Sequence, residues 1–313
     1  MVTQERTEQV AGPDPQGERQ EEPRGVVVGY DASAGGRAAL AWAAREAARR
    51  GSPLTVLHAS DFYGTGAGVL GGLGVGEAEV LQQARRVAED GAARAREVVD
   101  VQTRTHVRLV AATPALVEAS GTADIVVVGN RGRGALLGAL LGSTAFSTSA
   151  AAQCPVVVVR GEGTPDPGPD RAVVVGVDDS QGAQEAVRFA AGVAERAGAP
   201  LRVLAAWSAP ELAGVAYGMA YEADLVQGAR RATQELAQRA GDVVRADHPG
   251  LTTELDVVQA HPAQALARAS QEAGLVVVGA RGHGALTGLF LGSVSQATIH
   301  ASSCPVAVVR QRG

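Results

Sequence analysis

Residues 126–144 read VVVGNRGRGALLGALLGST, which predicts a buried strand, a glycine-rich turn and the start of a helix. Residues 276–294 read VVVGARGHGALTGLFLGSV, so nearly the same stretch occurs twice. The shared spacing is Gly-x-x-Gly, nine residues, then Gly-Ser. Because both copies keep this spacing, a functional role is favoured over ordinary turn glycines, which remain the alternative.

Three further blocks also occur twice and in the same order. GVVVGYDAS at 25–33 matches RAVVVGVDDS at 171–180, GSPLTVLHAS at 51–60 matches GAPLRVLAAW at 198–207, and CPVVVVR at 154–160 matches CPVAVVR at 304–310. This period is far longer than that of a solenoid repeat, so the chain contains two copies of a whole domain.

The composition divides the chain into four segments. Residues 1–24 are polar and predict a disordered tail. The first domain is predicted at 25–160 and the second at 171–313. The segment between them, GEGTPDPGPD at 161–170, is a proline- and glycine-rich linker.

Short apolar runs alternate with helical segments in each half. The strands predicted in the first half are 26–30, 54–59, 105–111, 125–129 and 156–159. The helices predicted there are 34–50, 77–99, 115–120 and 143–152. Nearly continuous apolar strands that alternate with helices indicate an α/β fold, in which helices cover both faces of a parallel sheet.

Charge and composition exclude several classes of protein. The net charge of −5 over 313 residues argues against nucleic acid as a partner, and no apolar run reaches the ~20 residues of a membrane span. The N-terminus lacks the layout of a signal peptide, and two cysteines do not make a disulfide framework. These features predict a cytoplasmic protein. All 28 basic residues are arginine, which excludes the phosphate-binding lysine of a Walker A motif.

Two predicted strands end in residues that suit a ligand. The first strand of each half ends in glycine and aspartate, and the fourth ends in the glycine motif. In an open parallel sheet, ligands bind beyond the carboxyl ends of the strands where the winding reverses. The Gly-Ser helix start suits a phosphate, and Arg131 and Arg281 add charge at the rim. Asp31 and Asp178 suit a ribose hydroxyl or a magnesium ion. A Rossmann site matches poorly, because no G-x-G-x-x-G follows the first strand.

These motifs resemble the universal stress protein family, in the tandem two-domain form common in actinobacteria. The resemblance covers residues 25–160 and 171–310 and rests on VGYDAS, VGVDDS, the doubled glycine motif, CPVVVV and CPVAVV. The long glycine motif is typical of the branch that binds ATP. The resemblance implies two doubly wound domains, each with a five-stranded parallel sheet in the order 3-2-1-4-5, and pairing of the two halves through their fifth strands. Tandem members often dimerise further, so a homodimer or an intramolecular pseudo-dimer is expected.

The resemblance also implies one ATP site in each domain, with or without Mg²⁺. In the first domain the predicted cofactor-binding residues are Gly29, Asp31, Gly129, Arg131, Gly132, Arg133, Gly134, Gly142, Ser143 and Thr144. In the second they are Gly176, Asp178, Gly279, Arg281, Gly282, His283, Gly284, Gly292, Ser293 and Val294. Adenine contacts are expected on the second strand, near Leu54 and Leu201. Asn130 becomes Ala280 and Arg133 becomes His283, so the two sites can differ in affinity.

No catalytic or metal-binding set is predicted. The six histidines lack metal-ligand spacing, and no positioned general base is evident. Cys154 and Cys304 are predicted as small buried apolar residues that cannot form a bridge if the fifth strands pair antiparallel. The sequence thus predicts an ATP-binding regulatory protein of the stress response. The alternatives are a slow ATPase or nucleotidyl-transfer enzyme using the same crevice, and a structural pseudo-dimer that binds nothing.

Overall fold

The computed structural model describes residues 22–62, 76–132, 141–161, 163–208, 219–282 and 291–311, and side chains in 219–224 are excluded. The strands are β1 (Val26–Gly29), β2 (Leu54–Ala59), β3 (Thr103–Arg108), β4 (Ile125–Gly129), β5 (Val156–Val159), β6 (Val173–Gly176), β7 (Leu201–Trp207), β8 (Thr253–Gln259), β9 (Leu275–Gly279) and β10 (Val306–Val309). The helices in these residues are α1 (Ala34–Arg50), α2 (Glu77–Val98), α3 (Ala112–Ala119), α4 (Ser143–Ala151), α5 (Gln181–Ala197), α6 (Met219–Asp247), α7 (Pro262–Ala269) and α8 (Ser293–Ala301).

All ten strands form one sheet in the order β3-β2-β1-β4-β5-β10-β9-β6-β7-β8. Each half therefore has the predicted order 3-2-1-4-5, and its strands are parallel. The halves join where β5 and β10 pair antiparallel, with Val157 opposite Ala307. The predicted fold and the predicted pairing of the halves within one chain are confirmed. Self-association of whole chains stays a prediction.

The central strands consist largely of valine because both of their faces are covered. Val26 and Val28 point toward α1 and α2, whereas Val27 points toward α3 and α4. All three side chains are fully buried. Burial on both faces removes the alternation of polar and apolar residues that marks a half-exposed strand. The carboxyl ends of β1 and β4, which are neighbours in the sheet, consequently open at one edge.

Helix α1 begins and ends as the sequence predicts, and α5 begins and ends in the same way. Ser33 caps α1 by accepting a hydrogen bond from the Gly36 amide, and Ser180 caps α5 through the Ala183 amide. Gly51 ends α1 in the left-handed region with φ of 62°, a conformation that glycine adopts without a steric penalty. These caps fix α1 and α5 directly after the strands whose ends carry Asp31 and Asp178.

Two predicted elements were placed incorrectly. The third strand is not 105–111 but Thr103–Arg108, because all six of its residues pair with Leu54–Ala59 of β2. The following helix is not 115–120 but begins at Ala112. Pro114 lies in its first turn, where the amide that proline lacks would have no partner within the helix. Smaller shifts of one residue occur at the ends of β1, α2 and α4.

The segments outside the two domains are partly held in place. Residues 1–21 of the predicted tail lie outside the described residues, but Pro23 is buried and its carbonyl accepts a hydrogen bond from the Thr122 hydroxyl at 2.6 Å. In the predicted linker, Asp166 accepts hydrogen bonds from Arg45 and Arg49 of α1, each at 2.7 Å. The linker therefore packs against the first domain.

A buried carboxylate contributes to the contact between the two halves. Glu46 of α1 is fully buried and accepts hydrogen bonds from Arg50 at 2.7 Å and from Arg196 of α5 at 3.2 Å. The matching position in α5 is Val193, which is equally buried. The charged cluster of Glu46, Arg50 and Arg196 therefore lies across the junction. The second half has no carboxylate at the position that matches Glu46.

Both cysteines are buried and free, as predicted. Burial raises the pKa of the Cys304 thiol to about 12, which keeps it protonated at neutral pH. His58 and His106 are also buried, and burial lowers the pKa of His106. Within the residues that the structure describes, no helix is long and apolar enough to cross a membrane.

Candidate functional site

A cavity of about 270 Å³ opens in the first domain at the carboxyl ends of β1 and β4. The structure brings together around it every predicted residue of this domain that it describes: Gly29, Asp31, Gly129, Arg131, Gly132, Gly142, Ser143 and Thr144. Arg133 and Gly134 lie outside the described residues. The cavity has a polar end, formed by the aspartate and the glycine motif, and an apolar end.

Asp31 is oriented by the cap of α1. Its Oδ1 accepts hydrogen bonds from the Ser33 amide at 3.0 Å and from the Ser33 hydroxyl at 2.5 Å. Between them, Ala32 has φ of 62°, the left-handed region that costs an alanine about 1 kcal/mol or more. This turn leaves Oδ2 of Asp31 facing Gly132, whose position in space is set by β4.

The glycine motif is needed because backbones approach closely here. A Cβ atom at Gly129 would lie 2.5 Å from the Gly35 backbone, and one at Gly132 would lie 2.8 Å from Oδ2 of Asp31. A side chain at the first position would push α1 away from β4. One at the second would fill the space beside the aspartate. The first glycine therefore serves packing and the second keeps the cavity open.

Helix α4 directs its N-terminus at the polar end of the cavity. The Gly142 amide donates to the Asn130 carbonyl at 2.7 Å, and the Phe146 amide donates to the Gly142 carbonyl at 3.1 Å. The amides of Ser143, Thr144 and Ala145 precede that first helical bond and have no acceptor within the helix. Together with the positive end of the helix dipole, they form an environment that favours an anion such as phosphate.

The apolar end of the cavity is formed by Leu57, Ala59, Ala112 and Leu116. The predicted adenine contact near Leu54 lies at the amino end of β2, fully buried and away from this edge. Leu201 occupies the same place on β7. A parallel sheet presents its carboxyl ends to a ligand, so Leu57 and Ala59 line the cavity instead. Adenine binding on the second strand stays a prediction, with Leu57 and Ala59 rather than Leu54 as the residues of β2 that line the cavity.

The second domain repeats the polar end of this site. Ser180 donates to Oδ1 of Asp178 through its amide at 3.1 Å and through its hydroxyl. A Cβ atom at Gly282 would collide with Oδ2 of Asp178, as at Gly132. The Gly292 amide donates to the Ala280 carbonyl at 2.8 Å, which sets the start of α8.

A hollow of about 370 Å³ lies beside the glycine loop of the second domain, and its described lining does not include Asp178, Gly292 or Ser293. Its walls include Ser180, Gly182, Arg281, Gly282 and Arg310. Of the other residues predicted here, Gly176 and Gly279 end β6 and β9, and Ser293 and Val294 begin α8. His283 and Gly284 lie outside the described residues.

The two sites differ in the side chains at the helix start. Thr144 lines the first cavity, and its counterpart Val294 has no hydroxyl. Ala145 corresponds to Ser295, whose buried hydroxyl donates to the Ala280 carbonyl at 3.1 Å. The second half thus has no hydroxyl at the counterpart of Thr144, and it has an additional one at Ser295, which holds the loop to the helix.

A second difference lies beside the aspartates. In the first domain, Tyr30 is buried and its hydroxyl donates to Asp90 of α2 at 2.9 Å. Burial and the bond to Asp90 raise the pKa of Tyr30 to about 12. The matching residue is Val177, and a hollow of about 260 Å³ lies there, between α5 and α6. Tyr30, which directly precedes Asp31, also lines the first cavity, a role that its sequence position alone did not predict.

The described residues contain no group of three or more His, Cys, Asp or Glu side chains that could hold a metal ion. Each crevice brings one carboxylate, Asp31 or Asp178, to its polar end. A magnesium ion here would need further oxygen ligands from phosphates and water, a pattern that Mg²⁺ often shows with nucleotides.

The chain matches the model of the "Universal stress protein family" over residues 23–160 and again over 171–310. A universal stress protein of Mycobacterium bovis is 38% identical over 298 residues, which cover 92% of this chain and 97% of the relative. One from Mycolicibacterium smegmatis is 34% identical over 299 residues, covering 92% and 97%.

Among solved structures, that of a universal stress protein from Archaeoglobus fulgidus has a TM-score of 0.64 at 18% identity. The match covers 92% of this chain and 98% of that one. At this identity the likeness concerns the fold. It extends over both halves, in agreement with the two family matches.

Proposed function

We propose that this chain, which belongs to the universal stress protein family, binds one ATP in each domain at the carboxyl ends of the first and fourth strands. The observation that carries the proposal is the cavity of the first domain. An aspartate, a glycine loop and an uncapped helix start converge there on one space that also has an apolar wall.

The parts of the cavity correspond to the parts of a nucleotide. Leu57, Ala112 and Leu116 offer an apolar surface to a base. Asp31 supplies a carboxylate acceptor for ribose hydroxyls. The amides of Ser143 and Thr144, the Thr144 hydroxyl and Arg131 supply donors and positive charge for phosphates. In the second domain the corresponding groups are Asp178, Arg281 and the start of α8.

A regulatory role is favoured over catalysis by the state of the aspartate. Oδ1 of Asp31 already accepts two hydrogen bonds from Ser33, so it serves as a fixed acceptor rather than as a general base. The described lining of the cavity contains no histidine or cysteine. We infer that bound ATP acts by changing conformation or partners. Slow hydrolysis or nucleotidyl transfer in the same crevice is the alternative.

The test is the nucleotide content of protein purified without added nucleotide. The protein is denatured, and the released nucleotides are separated by anion-exchange chromatography. We expect adenine nucleotide, mainly ATP. ADP together with phosphate release on incubation would favour the enzyme. No adenine nucleotide, and no binding when Mg-ATP is added, would contradict the proposal.

A further inference from the structure

Two arginines cross the junction between the halves in a symmetric way. Arg160 directly follows β5, and its Nη2 donates to the carbonyls of Ile299, at 3.0 Å, and of His300. These carbonyls belong to the last turn of α8 in the other domain. Arg310 directly follows β10, and its Nη2 donates to the Ala150 carbonyl in the last turn of α4. Each domain therefore supplies a C-terminal cap to a helix of the other.

The two capped helices are those that begin the sites. The N-terminus of α4 faces the cavity of the first domain, and α8 begins the matching motif of the second. A cation at the C-terminus of a helix stabilises it through the helix dipole and fills the acceptor capacity of its last carbonyls. Since α4 and α8 have only nine residues each, a cap at one end also fixes the other end.

One of the two arginines also lies close to the glycine loop of its own domain. Arg310 and Arg281 line the same hollow beside Gly282. Burial, and the charge of Arg281, lower the pKa of Arg310, and burial and Arg131 do the same for Arg160. The Nε of each arginine is buried and has no hydrogen-bond partner among the described residues. Both guanidinium groups therefore retain a donor while Nη2 holds the opposite helix.

We propose that Arg160 and Arg310 are positioning residues that couple the two sites, each holding the phosphate-facing helix of the opposite domain. This inference rests on the proposed function, because it concerns how the two nucleotide sites influence each other. A phosphate beside Arg281 offsets the positive charge of that side chain, so the repulsion between Arg281 and Arg310 is reduced. The position in which Arg310 caps α4 is thereby favoured. Binding at the second site thus raises the affinity of the first, and by linkage the reverse holds.

The decisive experiment measures one site while altering an arginine of the other domain. Gly282→Leu fills the second site, and ATP binding to the first site is then followed by calorimetry. Adding Arg310→Gln should weaken this binding about three- to tenfold, the range expected for a charge at a helix C-terminus. Gln311→Ala, at the exposed neighbouring position, is the matched control and should change nothing. Arg310→Lys should recover most of the affinity.

The mirror experiment exchanges the domains. In a Gly132→Leu chain, Arg160→Gln should weaken ATP binding at the second site by a similar factor. In the unblocked chain, each site should bind ATP more tightly than it does when the other site is blocked, and this difference should disappear in the Arg160→Gln, Arg310→Gln double variant. Unchanged first-site affinity in the Arg310→Gln chain, or independent sites in the wild type, would overturn the proposal.

A second readout separates this inference from the proposed function. Hydrogen exchange of the amides in α4 does not require a ligand, and it should be faster in Arg310→Gln than in Gln311→Ala. Equal exchange in these two variants would show that Arg310 does not stabilise α4, and the proposed coupling would then have no basis. If exchange is faster in Arg310→Gln than in Gln311→Ala but the wild-type chain binds no ATP, the cap is real and the nucleotide proposal is refuted. Coupling between nucleotide sites is then refuted with it.

Discussion

The two halves share one fold and one glycine framework but differ in the side chains around it. Asp31 and Asp178 are held by Ser33 and Ser180 in the same way, and both face a glycine of the motif. By contrast, Thr144 has become Val294. The residues that set the backbone are therefore the same in the two halves, whereas a residue at the helix start of the candidate site differs. We therefore expect two sites of the same kind and of unequal affinity, with the first one tighter.

The largest effect should come from filling one site at a time. Gly132→Leu places a side chain against Oδ2 of Asp31, where even a Cβ atom would lie 2.8 Å away. Because overpacking costs about 1–3 kcal/mol and the ligand needs the same space, ATP affinity at that site should fall about a hundredfold. Calorimetry should then find one remaining site, the weaker one. Gly282→Leu should leave the first site, which is the tighter one. Equal ATP affinities of the remaining sites in the two variants would refute this ranking.

The next effect concerns the junction, where Glu46 has no counterpart in the other half. Glu46→Gln removes the buried charge that faces Arg50 and Arg196, whose side chains are 19% and 28% exposed. Allowing for that exposure, we expect a loss of about 2 kcal/mol in the free energy of unfolding. Urea titration measures it.

A surface pair provides the control for this loss. Glu185→Gln breaks the Arg188 pair, in which both side chains are at least 40% exposed, and should cost less than about 1 kcal/mol. Similar losses in the two variants would mean that burial of Glu46 does not matter for the junction.

A smaller effect should follow from exchanging the residues that distinguish the sites. Thr144→Val removes a hydroxyl from the first cavity and should weaken ATP binding there about fivefold, as expected for one neutral hydrogen bond. Val294→Thr should strengthen the second site by a similar factor. In the chain with both changes, the ranking of the sites should be reversed. An unchanged ranking would show that the helix-start hydroxyl does not contact the ligand.

The smallest effect concerns Tyr30, which Val177 replaces in the second half. Since the pKa of Tyr30 is raised to about 12 from an ordinary value of 10.0, its neutral form stabilises the fold. That stability is fully present below pH 10 and is lost as the pH rises toward 12. Tyr30→Phe should therefore lose less stability than the wild type between pH 9 and pH 11.

Thermal unfolding at these two pH values measures the difference, and absorbance at 295 nm follows the tyrosinate directly. The Asp90→Asn variant, which removes the charged acceptor, should lower the pKa of Tyr30. An equal loss of stability in wild type and Tyr30→Phe would contradict the assignment.

The fold was predictable because its signals are local and repeated. Valine runs with buried faces, Ser33 and Gly51 as caps, and the order of the elements all follow from short stretches of sequence. The ends of β3 were not predictable in this way, because pairing with β2 decides them. The start of α3 depended on recognising that Pro114 fits a first helical turn.

The polar end of the site was predictable, and its other features were not. Asp31 and the glycines at the end of β4 belong to sequence motifs that follow two neighbouring parallel strands. The carboxyl ends of such strands lie at one edge of the sheet. Leu57, Ala112 and Leu116 are ordinary core residues in the sequence, and only their place at the carboxyl ends makes them a wall. Arg160 and Arg310 act across the junction, and their contacts follow from the antiparallel pairing of β5 and β10.

The central claim is that each half binds one nucleotide, and equilibrium dialysis with labelled ATP tests it most directly. The wild-type chain, freed of bound nucleotide and titrated to saturation in the presence of Mg²⁺, should bind two ATP per chain. Binding of none, or an undiminished ATP affinity in the Gly132→Leu, Gly282→Leu double variant, would contradict the account.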